Sequence, residues 1–156
     1  MYSKNEEKEL KLEFWRKLHN RTRRIPGQRG KAKAWIGDKT GIKGVDLRFD
    51  VSRKKIIVAL EINIKFEERR LMIYEKLEAA KNIFENEFGE PLIWDFAYEK
   101  EHKQEVCRVY KQMEGDYLVS EQWPAIFNFM IDKMLRMEKA FKEVQDYLKY
   151  DELGKG

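Results

Sequence analysis

The sequence predicts a single α+β domain whose elements follow the order αβββαββα, with three helices packed on a mixed or antiparallel sheet of about five strands. Three kinds of observation lead to this class. Apolar residues recur at helical spacing in three long segments, and they alternate with polar residues or form β-branched runs in shorter ones. Glycine and proline mark several junctions between these segments. The length of 156 residues suits one domain with its own core, over about residues 3–150, followed by a frayed tail at 151–156.

The first helix is predicted over residues 3–23. Ser3 and Glu6 have the spacing of a capping box, in which each side chain bonds the backbone N–H of the other residue. Apolar residues recur at every fourth position along one stripe of the segment: Leu10, Phe14 and Leu18. The Pro-Gly pair at 26–27 ends the helix, because proline lacks the backbone N–H that would continue it.

Three strands are predicted next, over residues 33–36, 45–51 and 55–64. The second alternates between apolar and polar residues, and the third is rich in β-branched side chains. If these two pair as a hairpin around the turn at 52–53, strand parity places their apolar residues on one face of the sheet. The opposite face then carries a polar set: Asp46, Arg48, Asp50, Glu61, Asn63 and Lys65.

The second helix is predicted over residues 67–88, ended by Gly89 and blocked by Pro91. It has one apolar stripe at steps of three and four residues: Ile73, Leu77, Ala80, Phe84 and Phe88. Two further strands are predicted over 91–98 and 105–111, joined by a polar connection. They are expected to pair as antiparallel neighbours.

The last helix is predicted to begin after Ser120, with Pro124 in its first turn. Its apolar residues form a heptad seam: Phe127, Met130, Met134, Met137, Phe141, Val144 and Leu148. The favoured interpretation is that this seam packs against the sheet of the same chain. The alternative is a protein-interaction helix, in which a homodimer forms through part of the seam: Met130, Met134, Met137 and Phe141.

Composition excludes several classes of function. The one cysteine, Cys107, cannot form an internal disulfide, and His19 and His102 are too far apart for a common zinc motif, so no metal and no cofactor is expected. No nucleophile elbow is present, and the stretch at 37–41 lacks the glycines of a phosphate-binding loop. The apolar runs are too short to span a membrane, and the polar start is unlike a signal peptide. We therefore expect a soluble, cytoplasmic protein without a membrane partner.

The net charge of +4 hides a strong asymmetry along the chain. Residues 1–60 have a charge balance of +10, whereas residues 61–156 have a balance of −6. Between positions 14 and 37 there is no acidic residue, and a single-sign block of this kind attracts phosphate. The alternative is an ordinary solvated helix end. The candidate nucleic-acid-binding residues are Arg21, Arg23, Arg24, Arg29, Lys31, Lys33, Lys39 and Lys43, with Trp15 and Trp35 between or beside them.

One enzymatic template fits the order of elements, that of the restriction-endonuclease-like Mg²⁺ nucleases. It requires an acidic residue on the second strand, another on the third, and a lysine two residues later. Asp46 and Glu61 meet the first two requirements, but Asn63 stands where the lysine should be. Lys65 lies one further step along, roughly 6.6 Å away at strand rise. These residues are therefore weak catalytic candidates, and a ladder of ion pairs on a solvated sheet face is the alternative.

The chain also resembles an uncharacterised bacterial family that is catalogued as a domain of unknown function. The resemblance covers roughly residues 14–145 and is carried by these segments: Phe14-Trp15, Trp35, Lys39-Thr40-Gly41-Ile42-Lys43, Phe49, Ile57-Val58-Ala59-Leu60-Glu61-Ile62, Pro91-Leu92-Ile93-Trp94, Gln122-Trp123-Pro124 and Phe129. The chain departs from the family pattern at Ala140-Phe141-Lys142, where members usually show Phe-Trp. The resemblance implies a cytoplasmic protein, commonly from Bacteroidetes, related to C-terminal domains on nuclease-like proteins of defence systems. It implies no catalytic residues.

Charge pattern and resemblance together predict a binding or accessory domain rather than an enzyme. The expected ligand is DNA or RNA, contacted through the basic first third of the chain. Two alternatives stay open at this point. They are a Mg²⁺-dependent phosphodiesterase that uses Asp46, Glu61 and Lys65, and a protein-interaction module that uses the last helix.

Overall fold

The computed structural model describes residues 2–25 and 40–149. Within these ranges lie four α-helices and four β-strands, together with 3₁₀ turns at Glu101–Lys103 and Ser120–Gln122. In chain order the elements are α1 (Lys4–Thr22), β1 (Val45–Val51), β2 (Lys55–Ile62), α2 (Glu67–Ala79), α3 (Lys81–Phe88), β3 (Ile93–Glu99), β4 (Glu105–Glu114) and α4 (Trp123–Lys149). The predicted α+β class is confirmed.

The strands form one antiparallel sheet in the order β1-β2-β4-β3. The predicted number of about five strands is therefore corrected to four for the described part of the chain. Of the two predicted sheet types, mixed and antiparallel, the antiparallel one is observed. The strand predicted over 33–36 lies outside the described residues. The two hairpins lie side by side because β2 pairs with β4, so the sequence-distant strands β1 and β3 become the edges.

The single second helix that the sequence predicts is two helices in the structure. They meet at Ala80, whose φ of −100° and ψ of 17° leave the α-helical region and whose N–H bonds to the Leu77 carbonyl at 2.9 Å. This bend allows α2 to lie against β2 and β4 while α3 packs against α4. The predicted apolar stripe is nevertheless buried throughout: Ile73, Leu77, Ala80, Phe84 and Phe88. Gly89 ends α3 with a φ of 99°, as expected of a glycine cap.

Helix α1 begins with the predicted capping box. The Ser3 hydroxyl accepts a hydrogen bond from the Glu6 N–H at 3.1 Å, and the Glu6 carboxylate accepts one from the Ser3 N–H at 3.3 Å. Phe14 and Leu18 are buried, so the helix is held to the domain by one face. The other faces remain available to solvent and carry charge.

The first hairpin has the predicted apolar and polar faces. Apolar pairs face the helices: Val45 with Ile62, Leu47 with Leu60, Phe49 with Val58, and Val51 with Ile56. On the opposite face Asp46 lies across from Glu61. Strand β2 ends at Ile62, two residues earlier than predicted.

Helix α4 provides much of the core. Its predicted homodimer surface is buried in this chain, with Met130, Met134, Met137 and Phe141 each 5% exposed or less. The seam packs against β1, β2, α2 and α3, which confirms the favoured interpretation. The alternative interpretation, a homodimer through these four residues, is therefore wrong. A second copy cannot reach side chains that the chain's own sheet and helices already cover.

The loop that leads into β1 depends on a glycine. Gly44 has a φ of +85°, and a Cβ atom built on it would lie 2.4 Å from Cγ1 of Ile64. We expect Gly44→Ala to lower the free energy of unfolding by about 1–3 kcal/mol, since both the backbone strain and the collision oppose the native loop. Urea denaturation followed by circular dichroism measures this. Gly115→Ala is the matched control, because its nearest neighbours would lie at 3.5 Å, and an equal loss in both variants would contradict the explanation.

Candidate functional site

A basic groove lies between the C-terminal half of α1 and the start of α4. We call it the α1–α4 groove, and it has a volume of about 580 Å³. Its lining combines cationic, polar and aromatic side chains: Arg16, Lys17, Asn20, Arg21, Arg24, Ser120, Trp123, Pro124 and Phe127. The groove therefore unites two segments that are about one hundred positions apart in the sequence.

Aromatic packing positions the two walls of this groove. The ring of Phe14, on the buried face of α1, lies 5.7 Å from the ring of Trp123 and 5.0 Å from that of Phe127. The Trp123 indole N–H donates to the Tyr117 carbonyl at 2.8 Å, which fixes its orientation. With Phe14 turned inward, the neighbouring stripe of α1 faces the opening and presents its cations there.

Two of the four cations share a carboxylate. Arg16 and Lys17 both pair with Glu13, the latter at 3.7 Å. The hydrogen bond from Arg16 holds the pKa of the Glu13 carboxyl below its ordinary value, so the carboxylate is ionised at neutral pH. One acidic group against two basic ones leaves this part of the groove positive.

The other two cations have no carboxylate partner among the residues described. Arg21 donates to the Asn128 side-chain oxygen at 2.9 Å and lies 5.5 Å from the Phe127 ring, which orients the guanidinium without neutralising it. Arg24 is exposed at the end of α1. Lys17 lies 5.5 Å from the Trp123 ring. The groove thus holds several positive charges close together. Their combined electrostatic potential attracts anions.

The predicted nucleic-acid-binding residues lie in different parts of the structure. Arg21 and Arg24 line the α1–α4 groove, whereas Arg23 is exposed outside it. Lys43 lies in another groove, together with Lys65. The remaining candidates lie outside the described residues, as does Trp35: Arg29, Lys31, Lys33 and Lys39.

Sequence reasoning missed part of the groove. Arg16 and Lys17 belong to the basic block but were not among the named candidates, although Lys17 and Arg21 have the i, i+4 spacing of one helix face. The contribution of α4 had no local signal at all. Trp15 could be assigned from the sequence either to nucleic-acid stacking or to the core, and it packs against the core, with its ring 6.5 Å from that of Phe49.

The polar face of the sheet is organised around a buried ion pair. Glu61 on β2 and Arg108 on β4 lie opposite each other, and both side chains are inaccessible to solvent. The Arg108 Nε donates to Glu61 at 2.9 Å, and its Nη1 lies 3.0 Å from Asp50. The Arg108 guanidinium also lies 4.3 Å from the Tyr98 ring.

Three more donors complete the coordination of Glu61. Arg48 lies 3.2 Å away, Lys100 3.3 Å and the Asn63 amide 3.0 Å, all from the same carboxylate oxygen. The Asn63 amide also donates to Asp46 at 2.9 Å. We call this set, with Arg108 and Asp50, the Glu61 network.

The network keeps Glu61 ionised. Burial acts to raise the pKa of this carboxyl, but the hydrogen bond from Asn63 and the charges of Arg108 and Arg48 outweigh it and hold the pKa below its ordinary value. On Arg108, burial acts to lower the pKa, and the Glu61 and Asp50 carboxylates reverse this and raise it. Both members of the buried pair are therefore charged.

This geometry bears on the nuclease template. Asp46 and Glu61 lie on one face of the sheet, and the amide of Asn63 donates to both of them. Nitrogen donors surround both oxygens of Glu61. Lys65 lines an adjoining groove together with Lys43 and Asn63. Over residues 2–25 and 40–149 no cluster of three or more metal-ligating side chains is present. The arrangement favours a structural ion-pair network, buried rather than solvated.

Cys107 lies in the interior of the domain. Burial raises the pKa of the Cys107 thiol to about 11, and its Sγ donates to the Phe96 carbonyl at 3.2 Å, so this cysteine is a core residue. None of the helices in the described ranges is both long enough and apolar enough to cross a membrane.

Fold and groove together define a small α+β domain with a basic surface groove and a buried ionic network on the opposite sheet face. The chain belongs to the DUF4268 family, a domain of unknown function, whose family model matches residues 10–145. No curated protein and no solved structure shows significant similarity to it. The predicted resemblance to a domain of unknown function is thereby confirmed.

Proposed function

We propose that this chain is a nucleic-acid-binding accessory domain whose α1–α4 groove contacts the phosphate backbone. The observation that carries the proposal is the convergence of Arg16, Lys17, Arg21 and Arg24 on one groove that contains no carboxylate beyond the nearby Glu13. Phosphate contacts by such residues release counter-ions and give strong, sequence-independent affinity. The start of α4 lies at the same groove and adds the positive end of its dipole.

The sequence that follows α1 supports the same ligand. The segment at 26–39 continues from α1 and carries further predicted contacts: Arg29, Lys31, Lys33 and Lys39. A cytoplasmic, bacterial setting next to nuclease-like proteins, as implied by the resemblance, suits a domain that holds nucleic acid while another domain acts on it. The bases are not read in this proposal, so binding is expected to be indifferent to sequence.

Reversing the charge of Arg21 and Arg24 should weaken binding to nucleic acid and make the affinity less dependent on salt. For the double variant Arg21→Glu/Arg24→Glu we expect about a tenfold loss of affinity at 100 mM salt, because two phosphate contacts are lost. The slope of log K against log salt should become shallower by about 1.8 for duplex DNA and about 1.4 for a single strand. Fluorescence anisotropy with a labelled 20-mer, titrated at several salt concentrations, measures both.

Arg23→Glu is the matched control, because it makes the same change of charge on an adjacent residue outside the groove. It should lose much less affinity than a groove variant with one substitution. If Arg23→Glu and Arg24→Glu weaken binding equally, the groove has no special role. Absence of salt-dependent binding by the unaltered protein at tens of micromolar would overturn the proposal itself.

A further inference from the structure

A second groove lies where the loop before β1 meets the start of α2. We call it the Phe66 groove, and it has a volume of about 530 Å³. Three cations surround it, Lys43, Lys65 and Arg69, and Ile64 and Phe66 supply its apolar wall. The Phe66 ring is 77% exposed, the highest exposure among the large apolar side chains of the described residues.

Phe66 is an unusual residue for this position. It directly precedes α2 as its N-cap, where serine, threonine, aspartate or asparagine would bond the first helical N–H groups, and it makes no such bond. Its ring adds almost nothing to the core. Neither capping nor packing therefore explains a large aromatic side chain here.

The charges around Phe66 indicate the chemistry of a partner. Lys43 and Lys65 are exposed, and neither has a carboxylate within ion-pair distance among the residues described. Glu67, in the first turn of α2, lies 4.0 Å from Arg70. The Arg70 guanidinium also donates to the Ile64 carbonyl and lies 3.8 Å from Glu105. An exposed aromatic ring surrounded by cations suits a ligand that is both flat and anionic.

We propose that the Phe66 groove binds an unpaired base of single-stranded nucleic acid, which stacks on Phe66 while its flanking phosphates contact Lys43, Lys65 and Arg69. This inference rests on the proposed function and names its substrate class as single-stranded. Every base has a face that can stack on an aromatic ring, and cations beside the ring follow the backbone, which is the usual chemistry of single-strand binding. In a duplex the faces of the bases are already stacked on each other.

The two grooves are associated with opposite ends of α4. The α1–α4 groove includes Trp123, whereas the loop leading to Lys43 is held by a hydrogen bond of 3.1 Å from Gln145 to the Thr40 carbonyl. Along the helix axis these positions are about 33 Å apart. At about 3.4 Å per stacked nucleotide, a strand that reaches both grooves needs roughly ten nucleotides. A 20-mer is long enough to occupy both.

The experiment compares two 20-mers by fluorescence anisotropy. One is dT20, and the other is an abasic 20-mer with the same phosphates and no bases. We expect the unaltered protein to bind dT20 about tenfold more tightly than the abasic 20-mer, because the stacking of one base on an aromatic ring contributes about this much to affinity. Phe66→Ala should remove this preference, and Phe66→Trp should keep it. Phe96→Ala is the matched control, because this residue is 60% exposed on β3 and lines neither groove, and it should keep the preference.

The outcomes separate the two proposals. Equal, salt-dependent binding of both 20-mers by the unaltered protein overturns the stacking inference and leaves the phosphate-binding function in place. A preference for dT20 that survives in Phe66→Ala also overturns it. If neither single-stranded 20-mer binds and a duplex 20-mer does, this inference is wrong and the proposed function stands. If none of the three binds, the proposed function is overturned and this inference with it. If an acidic, phenylalanine-containing peptide binds through Phe66 and dT20 does not, the partner is a protein and the inference is wrong.

Discussion

Replacement of Arg108 by methionine should lower the free energy of unfolding by about 3–5 kcal/mol, because it removes the nearest counter-charge from a carboxylate that has no access to water. Glu61→Leu should cost a similar amount, since it leaves the buried guanidinium with Asp50 as its remaining acidic partner. Urea denaturation followed by circular dichroism measures both variants. Their m-values should stay close to that of the unaltered protein if the fold is retained.

The double variant Glu61→Leu/Arg108→Met is the decisive control. Neither buried charge remains in it, and the outer members of the network, Arg48 and Asp50, are exposed enough to turn toward solvent. We therefore expect the double variant to be more stable than the sum of the two single losses predicts. Strictly additive losses would show that the two side chains stabilise the fold independently, contrary to the geometry.

The same network has a defined pH dependence. The folded pKa of Glu61 lies below its ordinary value, so the unfolded state binds this proton first as the pH falls. The stabilisation is present at neutral pH and is lost as the pH falls below about 4.3, the ordinary glutamate value, and through the folded pKa. The difference in stability between the unaltered protein and the double variant reports the ion pairs of Arg108 with Glu61 and Asp50, because other acid-sensitive pairs such as Glu90 with Lys133 are common to both.

The second large effect is expected at Phe14. This side chain is fully buried, and its ring lies 5.0–5.7 Å from those of Trp15, Tyr117, Trp123 and Phe127. Phe14→Ala should therefore lower the free energy of unfolding by about 3–5 kcal/mol, the usual cost of removing a buried aromatic ring. Phe14→Leu keeps most of the volume and should cost markedly less.

Phe14 also links stability to the proposed site. Its contacts hold α1 against the start of α4, so the cations of the α1–α4 groove keep their place only while this cluster is packed. In Phe14→Ala we expect faster amide hydrogen exchange in α1 than in α4 under native conditions. Uniform exchange in the two helices would show that α1 is held by other contacts.

The fold was predictable to the extent that it follows local pattern. The capping box at Ser3 and the alternation in the first hairpin each involve neighbours in sequence, and the structure confirms both. The break at Ala80 has no such signal, because alanine is a good helix former and neither glycine nor proline marks the position. Both helices contact α4, and the break lets α2 reach β2 and β4 as well.

The candidate sites show the same division. The basic block was visible in the sequence, and so was the polar sheet face that carries Asp46 and Glu61. Their direct pairing across the hairpin was not. Arg108 was not, because it lies 47 positions from Glu61 and meets it only where β2 pairs with β4. Its guanidinium and the amide of Asn63 both donate to Glu61 and join the polar residues of this face in one network.

Local chemistry along the chain thus accounts for the class of fold, the faces of the helices and strands, and the concentration of positive charge near α1, since each depends on residues within a few positions of one another. Packing in three dimensions decided which other segments lie beside that charge. It brought α1 beside the start of α4 and turned the methionine seam inward. It also placed Phe66 among cations from two separate segments. Burial and the juxtaposition of distant segments depend on the whole chain, and no short window of sequence contains them.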